Sequence, residues 1–519
     1  MTAMTLTRPL RLLHETLERT AHLLPDKTAI VCDDETLTFR ELDDRSNSLA
    51  AFLQSNGVAR GDRVAVFMEN SIEAAVAIYA ILKAGAAFVL VNPQTKQDKL
   101  AYVLRNCDAK ALVFASSLTA VAREAVALAN VALLVTSGAD PSDAQAPAHA
   151  HRFASAIAFP DRPPQPKTIS LDLAALIYTS GSTGNPKGVM HTHQSMLFAL
   201  CSIAEYLELS SDDVILNVLP LAFDYGLYQL LMAVYVGAQL VLERSFTYPG
   251  VVLRKLRSHG VTVFPGVPTT FAMLTSTDIQ HSSCVESVRR VTNTGAALPP
   301  AYLTGIQRVF PNAAIYAMYG LTECKRVSFL PPEKLAKKPE SVGRAIPGTE
   351  TLLLSPEGEP VPPGVAGILH VRGAHIMLGY WNDPDATAKM LVPGPYPGEK
   401  LLRTGDWFKT DEEGDLYFLG RSDDIIKSRG EKISPVEIEA ALLRVEGVRE
   451  AAVIGVPDDV LGEAVKAFVT LRAGIQISEQ QIQREVRMYL EAFMLPKEIV
   501  VVDKLVKLPN GKVDKSALK

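Results

Sequence analysis

Tyr178-Thr-Ser-Gly-Ser-Thr-Gly-Asn-Pro-Lys-Gly188 sets three glycines, four hydroxyl residues and one lysine between two apolar runs, 173–177 and 189–190. Such a stretch reads as a loop between strands, and such a loop can wrap a polyphosphate. Glycine lets the backbone come close and turn its N–H groups inward, hydroxyls add donors, and Lys187 supplies positive charge for phosphate oxygens. A Walker loop would need G-x-x-x-x-G-K-[ST] opening a helix, and neither Gly181 nor Gly184 has that spacing. A flexible polar linker is the alternative, but linkers seldom lie pressed so tightly between apolar strands.

Working outward toward the N-terminus, strand and helix alternate. Strands are expected at 64–68, 87–91, 111–114 and 131–135, with helices at 72–82, 99–104 and 119–129, a pattern that argues for a parallel sheet covered on both faces. Thr38-Phe-Arg-Glu41 has the form of a capping box that opens a helix, and Gly57 ends it. Residues 138–167 read as a surface excursion. Toward the C-terminus a helix is expected over 195–206, then a second α/β series with strands at 214–218, 239–242, 261–264, 290–294 and 314–317. From about 340 the texture changes to short alternating runs with Gly and Pro turns, a small β-rich unit. A last segment of about 95 residues follows Gly420-Arg-Ser-Asp-Asp424. It contains a second capping box, Ser434-Pro-Val-Glu437, and an expected helix over 478–493, and reads as α+β.

Composition narrows the class. With 519 residues the chain is too long for one core, and 48% apolar with 21% charged residues is ordinary for a globular protein. A net charge of −5 without basic runs argues against a nucleic-acid partner. The five cysteines are scattered and never in C-x-x-C spacing, which points to reduced thiols and a cytoplasmic location. No apolar stretch is long enough to span a bilayer.

The stretches YTSGSTGNPKG (178–188), YGLTE (319–323), TGDWFKTDEEGDLYFLGRSDD (404–424), KSRGEKISPVEIE (427–439) and LPNGKVDK (508–515) occur together and in order. In this the chain resembles the adenylate-forming superfamily of acyl-CoA synthetases, amino-acid adenylation enzymes and firefly-type luciferases. The resemblance covers essentially the whole chain. It implies an α/β fold with a large N-terminal domain (1–421) of two doubly wound αβ subdomains plus a small β-barrel-like subdomain, and a small mobile α+β C-terminal domain (422–519). It also implies a two-step reaction: a carboxylate attacks the α-phosphate of ATP, with Mg²⁺, to release pyrophosphate, and a thiol then displaces AMP. The thiol is that of CoA or of the phosphopantetheine of an acyl or peptidyl carrier protein.

Matched residue by residue, the resemblance assigns Thr179, Ser180, Gly181, Ser182, Thr183, Gly184 and Lys187 to the β- and γ-phosphates. Gly295, Ala296 and Ala297 form the adenine wall, Tyr319 of the Tyr319-Gly320 pair stacks on adenine, and Asp406 accepts from both ribose hydroxyls with Arg421 nearby. Thr322 donates to the α-phosphate, and Glu323 helps hold Mg²⁺. Lys512 bridges the attacking carboxylate and the α-phosphate. Asp423 is the hinge of the small domain, Gly430 lines the thiol tunnel, and Lys432 approaches the AMP phosphate.

The acid itself is less sharply specified. Where acyl-CoA synthetases of the family carry Leu-Pro-x-x-His, this chain has Leu219-Pro-Leu-Ala-Phe223, followed by Asp224. Amino-acid-activating relatives carry an aspartate there that pairs with the substrate ammonium; an Asp shaping the turn before Gly226 is the other reading. Lys325 and Arg326 follow the YGLTE motif, and YGLTECKRVS is similar to ligases that load β-amino acids onto carrier proteins. Arg326 could pair with Asp224 or bind an extra carboxylate on the substrate, or both residues could be solvated. Tyr228, Thr294 and Met318 complete the candidate pocket. His191 and His193, expected on a strand, read as structural rather than metal-binding.

The leading expectation is therefore a carrier-protein ligase for an amino acid or small polar acid, with an acyl- or aryl-CoA synthetase as the alternative. A luciferase-like oxidase and a non-catalytic binding protein are the remaining readings. Partners would be a small carboxylic acid and a carrier protein, with no nucleic acid or membrane span, in a monomer or homodimer.

Overall fold

The structure is a computed structural model that describes residues 9–138, 149–160, 167–179, 185–244, 246, 248–275, 284–422, 424–428, 431–458, 462–490, 494–508 and 512–518, with backbone only at 427, 428, 431, 432 and 462. Three sheets organise it. The chain is α/β, with a large N-terminal and a small C-terminal domain.

An eight-stranded sheet holds the alternating N-terminal series. Its centre is parallel: Arg63–Phe67 lies between Ala87–Val91 and Ala109–Ala115, and Leu173–Thr179 joins beyond Ala87–Val91. Ala87–Val91 is buried throughout, as expected for a strand covered on both faces. Thr38 caps the helix Phe39–Ser55 reciprocally, its Oγ1 accepting from the Glu41 amide at 3.2 Å while Glu41 accepts from the Thr38 amide at 2.8 Å. Two orphan donors are satisfied at once, a gain of about 1 kcal/mol.

The second series forms the parallel part of a fourteen-stranded sheet, in which Val214–Asn217, Val263–Gly266, Arg290–Asn293 and Ala314–Tyr319 are successive neighbours. Ala314–Tyr319 then pairs antiparallel with Ser328–Phe329, and through it the sheet runs on into the β-rich unit. There Lys400–Thr410 and Leu416–Arg421 pair so that Asp406 faces Arg421. A five-stranded sheet, with Val448–Asp458 against Gly462–Leu471 at its heart, belongs to the last segment.

Buried charge anchors the strand ends. Asp213, fully buried, accepts from Thr262 Oγ1 at 2.7 Å and pairs with Arg289 at 2.9 Å and Arg290 at 3.2 Å. Asp415, also fully buried, gathers Lys334, Lys338 and Arg344 at 2.8, 2.5 and 3.0 Å.

Four local expectations are corrected. His193 is not on a strand; it opens the helix His193–Tyr206, which Thr192 caps. Ser434 accepts from the Glu437 amide, but Glu437 turns to Lys409 Nζ at 3.1 Å, so that box is only half formed. The helix expected over 478–493 spans Glu479–Val486; beyond it Met488 and Tyr489 are exposed and bond back only three residues, because they find no core to face. Part of the 138–167 excursion is structured, as His151–Arg152 adds an edge strand and the helix Phe153–Ile157 buries Phe153 and Ala156.

Candidate active site

Past the carboxyl ends of the parallel strands, residues of the β-rich unit and of the last segment come together, Tyr319 meeting Asp406 and Gly295 neighbouring Lys512, in the region where open α/β sheets bind ligands. Of the opening loop, Ser180–Gly184 by number lie outside the described residues, but both its posts are defined. Thr179 and Lys187 face each other in the register of Leu173–Thr179 and Lys187–Thr192. Behind them the Tyr178 hydroxyl donates to Asn106 Oδ1 at 2.5 Å, and the Trp381 indole donates to the Asn106 carbonyl at 2.9 Å. Lys187 Nζ lies 3.9 Å from Asp383 and over the Tyr380 ring at 5.4 Å.

Glu323 and Thr322 sit in the turn after Ala314–Tyr319. Tyr380 donates to Glu323 Oε1 at 2.6 Å, which fixes the carboxylate. Buried His191 donates from Nε2 to the Thr322 carbonyl at 2.9 Å. His193 Nδ1 accepts the Leu13 amide at 3.0 Å, so both histidines take structural bonds. Gly320 is required by close approach, since a Cβ there would fall 2.2 Å from the Lys325 carbonyl oxygen.

Asp406 is buried, and its Oδ2 accepts from the Tyr319 hydroxyl at 2.5 Å while Oδ1 lies 3.6 Å from Arg421 Nε. Burial raises the Asp406 pKa; the Arg421 guanidinium, the Tyr319 hydroxyl and Lys512 oppose the rise. The Tyr319 ring stacks near Phe418 at 6.0 Å and meets Phe408 edge-on at 4.8 Å. Gly295 turns with φ +87°, a left-handed conformation that suits glycine, and Ala296 and Ala297 line the exposed rim.

Lys512 reaches into this cleft. A Cβ built on Gly295 would lie 4.0 Å from Lys512 Cε and 3.7 Å from Phe223 Cζ, so the three residues are neighbours. The lysine keeps contact with solvent, yet the surrounding protein lowers its pKa by desolvation and by Arg421, while Asp224, Asp406 and Glu323 pull it up. Asp423 and Gly430 lie outside the described residues, as does the side chain of Lys432, whose backbone belongs to the strand Glu431–Ile433.

The acyl side departs from expectation. Asp224 and Arg326 do not pair, and neither forms an ion pair among the described residues. Asp224, half-buried, opens the helix Asp224–Val236 and lies in the field of Lys325 and Lys512. Gly226 lies within that helix and is required by close approach to the preceding turn, since a Cβ there would meet the Pro220 oxygen at 2.3 Å. Lys325 and Arg326 are not solvated; they are 4% and 3% exposed. Desolvation lowers the Lys325 pKa to about 8 despite Asp224 and Glu323. Tyr228 donates to the Met196 carbonyl at 3.3 Å, and Met318 Sδ accepts from Tyr206 at 2.9 Å. Thr294 is buried with its hydroxyl unpartnered.

Sequence reading missed Tyr380, Asp383, Asn106 and Tyr206. Each acts on a residue far away in the chain, Tyr380 on Glu323 across 57 positions, so no local spacing announces them.

Comparison with known proteins identifies the family. The AMP-binding enzyme family matches residues 17–381, and the AMP-binding enzyme C-terminal domain matches 437–512. The chain belongs to this family, the adenylate-forming acid ligases. It is 33% identical over 538 residues to the long-chain-fatty-acid–CoA ligase of Bacillus subtilis (strain 168), covering 97% of this chain and 93% of that protein. It is 30% identical over 514 residues to surfactin synthase subunit 2 of the same organism, covering 96% of this chain but 14% of that much longer protein. The crystal structure of the anthranilate CoA ligase AuaEII in complex with anthranoyl-AMP superposes with a TM-score of 0.90 at 28% identity, over 98% of this chain and 97% of that one.

Proposed function

We propose that this protein activates a small polar carboxylic acid, amino acids included, as its acyl-adenylate and passes the acyl group to a phosphopantetheine thiol, that of a carrier protein. The observation that carries the reading is Lys512 standing beside Gly295 and Phe223, in the field of Asp406, Glu323 and Asp224.

In the first step a carboxylate oxygen of the acid bonds to the α-phosphorus of ATP, and the bond to the bridging oxygen breaks to release pyrophosphate. Lys512 spans the carboxylate and the α-phosphate, holding two anions together as charge builds between them, and Thr322 donates to the same phosphate. Thr179, Lys187 and the loop 180–184 hold the leaving pyrophosphate. Asp406 accepts from the ribose hydroxyls, Arg421 lies by the ribose, and Tyr319 with Gly295, Ala296 and Ala297 encloses the adenine. Glu323, pinned at one oxygen by Tyr380, suits a hard cation such as Mg²⁺, which takes one or two carboxylates and would neutralise phosphate charge.

In the second step the thiol sulfur bonds to the acyl carbon, AMP leaves with the oxygen, and the thiol proton is lost. We assign the boundary near 421/422, with 1–421 as the adenylating domain and 422–519 as the domain that swings about Asp423. The swing withdraws Lys512 and brings Gly430 and Lys432 to the site.

Transfer to free CoA is the second reading, favoured by the match over nearly the full length of the B. subtilis CoA ligase. Against a long fatty acid stands the charge around Asp224, Lys325 and Arg326. Exchange of labelled pyrophosphate into ATP across amino, aryl and fatty acids tests the first step. A choice between CoA and a holo carrier protein tests the acceptor. Exchange with octanoate alone, and transfer to CoA alone, would overturn the carrier-protein reading.

A further inference from the structure

Arg326 is the one guanidinium among the described residues that is both buried and left with unsatisfied donors: it is 3% exposed, and its Nε and Nη1 have no hydrogen-bond partner. Its surroundings are tyrosines. The guanidinium carbon lies 5.3 Å over the Tyr225 ring, the Tyr206 hydroxyl is within side-chain hydrogen-bonding reach of the guanidinium, and the Tyr228 phenol feels its charge, while Nε and Nη1 stay open. Those hydroxyls have other principal partners, Tyr225 donating to the Thr292 carbonyl at 2.8 Å, Tyr228 to the Met196 carbonyl and Tyr206 to Met318. A ring face attracts a cation but cannot accept two N–H bonds in the plane of the fork.

An arginine cannot escape this cost by losing its proton, as a lysine can. A buried charge without a counter-ion is expensive; Lys83 is met by Asp43, and Asp213 by Arg289 and Arg290. Arg326 and its neighbour Lys325, 4% exposed, by contrast make no ion pair among the described residues, so the exception is this adjacent pair of cations. The exception falls where the acid is expected, on the segment that follows Glu323 and against the helix that Asp224 opens. Thr294, at the carboxyl end of the strand that holds Thr292, adds a further buried hydroxyl without a partner. Asp224 lies in the field of Lys325 and Lys512 on the same side of the site.

We infer that Arg326 is the receptor for a second carboxylate, and that the acid activated here is a small dicarboxylic acid, one carboxylate reacting beside Lys512 and the other paired with the Arg326 fork. This rests on the adenylation reading above and narrows its substrate class. A carboxylate offers the in-plane acceptors that Nε and Nη1 lack, and the tyrosine walls limit water around the pair.

The test is pyrophosphate exchange with malonate, succinate, glutarate, adipate, aspartate and glutamate, each set against its monocarboxylate or side-chain amide counterpart. The best diacid is expected to exceed its singly charged counterpart in kcat/KM on the order of 100-fold, from loss of a charge-assisted pair. Arg326→Gln should abolish that preference by raising KM for the diacid while KM for ATP moves little, and Arg326→Lys should restore part of it. Thermal melting guards against a folding artefact. Arg326→Met should melt no lower than the wild type, because it removes an unpaired buried charge, and the diacid should raise the melting temperature of the wild type alone. Robust exchange with monocarboxylates and no diacid preference would overturn this inference and leave the adenylation reading standing. No exchange with any acid would overturn both.

Discussion

The Tyr319 hydroxyl donates to Asp406 Oδ2 across 2.5 Å, joining motifs 87 residues apart. The bond favours the ionised carboxylate and so lowers a pKa that burial raises. Tyr319→Phe removes it, and the Asp406 pKa must rise further. The acidic limb of ATP binding, followed as KM for ATP against pH, is expected to move to higher pH. An unmoved limb would mean that Asp406 does not need its charge to hold the nucleotide.

Asp406→Asn keeps the shape of the side chain and removes the charge that would accept from two ribose hydroxyls. Hydrogen bonds to charged groups contribute about 1.5–3 kcal/mol, so KM for ATP should rise roughly 10- to 100-fold. The dissociation constant of AMP measured by calorimetry should weaken in parallel; a weakened ATP site with unchanged AMP affinity would speak against ribose contact.

Lys325 is a charge buried at a cost. Burial holds its pKa in the folded protein at about 8, below the ordinary lysine value of 10.5. Between those two values the unfolded chain holds a proton that the folded chain has lost, so stability rises with pH through that window. Below pH 8 the penalty is fully present, on the order of 3 kcal/mol at 1.36 kcal/mol per unit. Lys325→Met should therefore melt higher than the wild type at pH 7, with the advantage shrinking as pH approaches 10.5. A constant difference across that range would show that packing, not charge, is responsible.

Asp213 binds Thr262, Arg289 and Arg290 from a fully buried position. Removing one member of such a set strands the others, at a cost of about 3–5 kcal/mol. Asp213→Ala should lower the melting temperature by several degrees while leaving KM for ATP unchanged in the protein that remains folded.

Much of this arrangement is legible in the sequence. The alternation over 64–135 predicts the parallel core, and ordered motifs place Asp406, Glu323 and Lys512 in one family of sites. What sequence could not supply was the partnership between distant segments. Nothing near Glu323 announces Tyr380, and the merging of the α/β sheet with the β-rich unit depends on the two-residue strand Ser328–Phe329, too short to read from a pattern. Arg326 shows the limit most clearly: its sequence leaves pairing with Asp224, an extra substrate carboxylate and solvation all open, and only packing removes the first and the last. The helix ends at Val486, short of the apolar rhythm in the sequence, because Met488 and Tyr489 continue that rhythm without a core to receive them.

The central claim is that Lys512 serves the adenylation step and leaves before the thiol arrives. Its most direct test is to measure both half-reactions of Lys512→Ala with the same acid: pyrophosphate exchange into ATP, and thioester formation from the preformed acyl-adenylate. Loss of a positioned cation at the developing charge predicts exchange reduced roughly 100- to 1,000-fold, with transfer to the thiol retained to within a few-fold. Exchange that survives, or a loss that falls equally on both half-reactions, would contradict it.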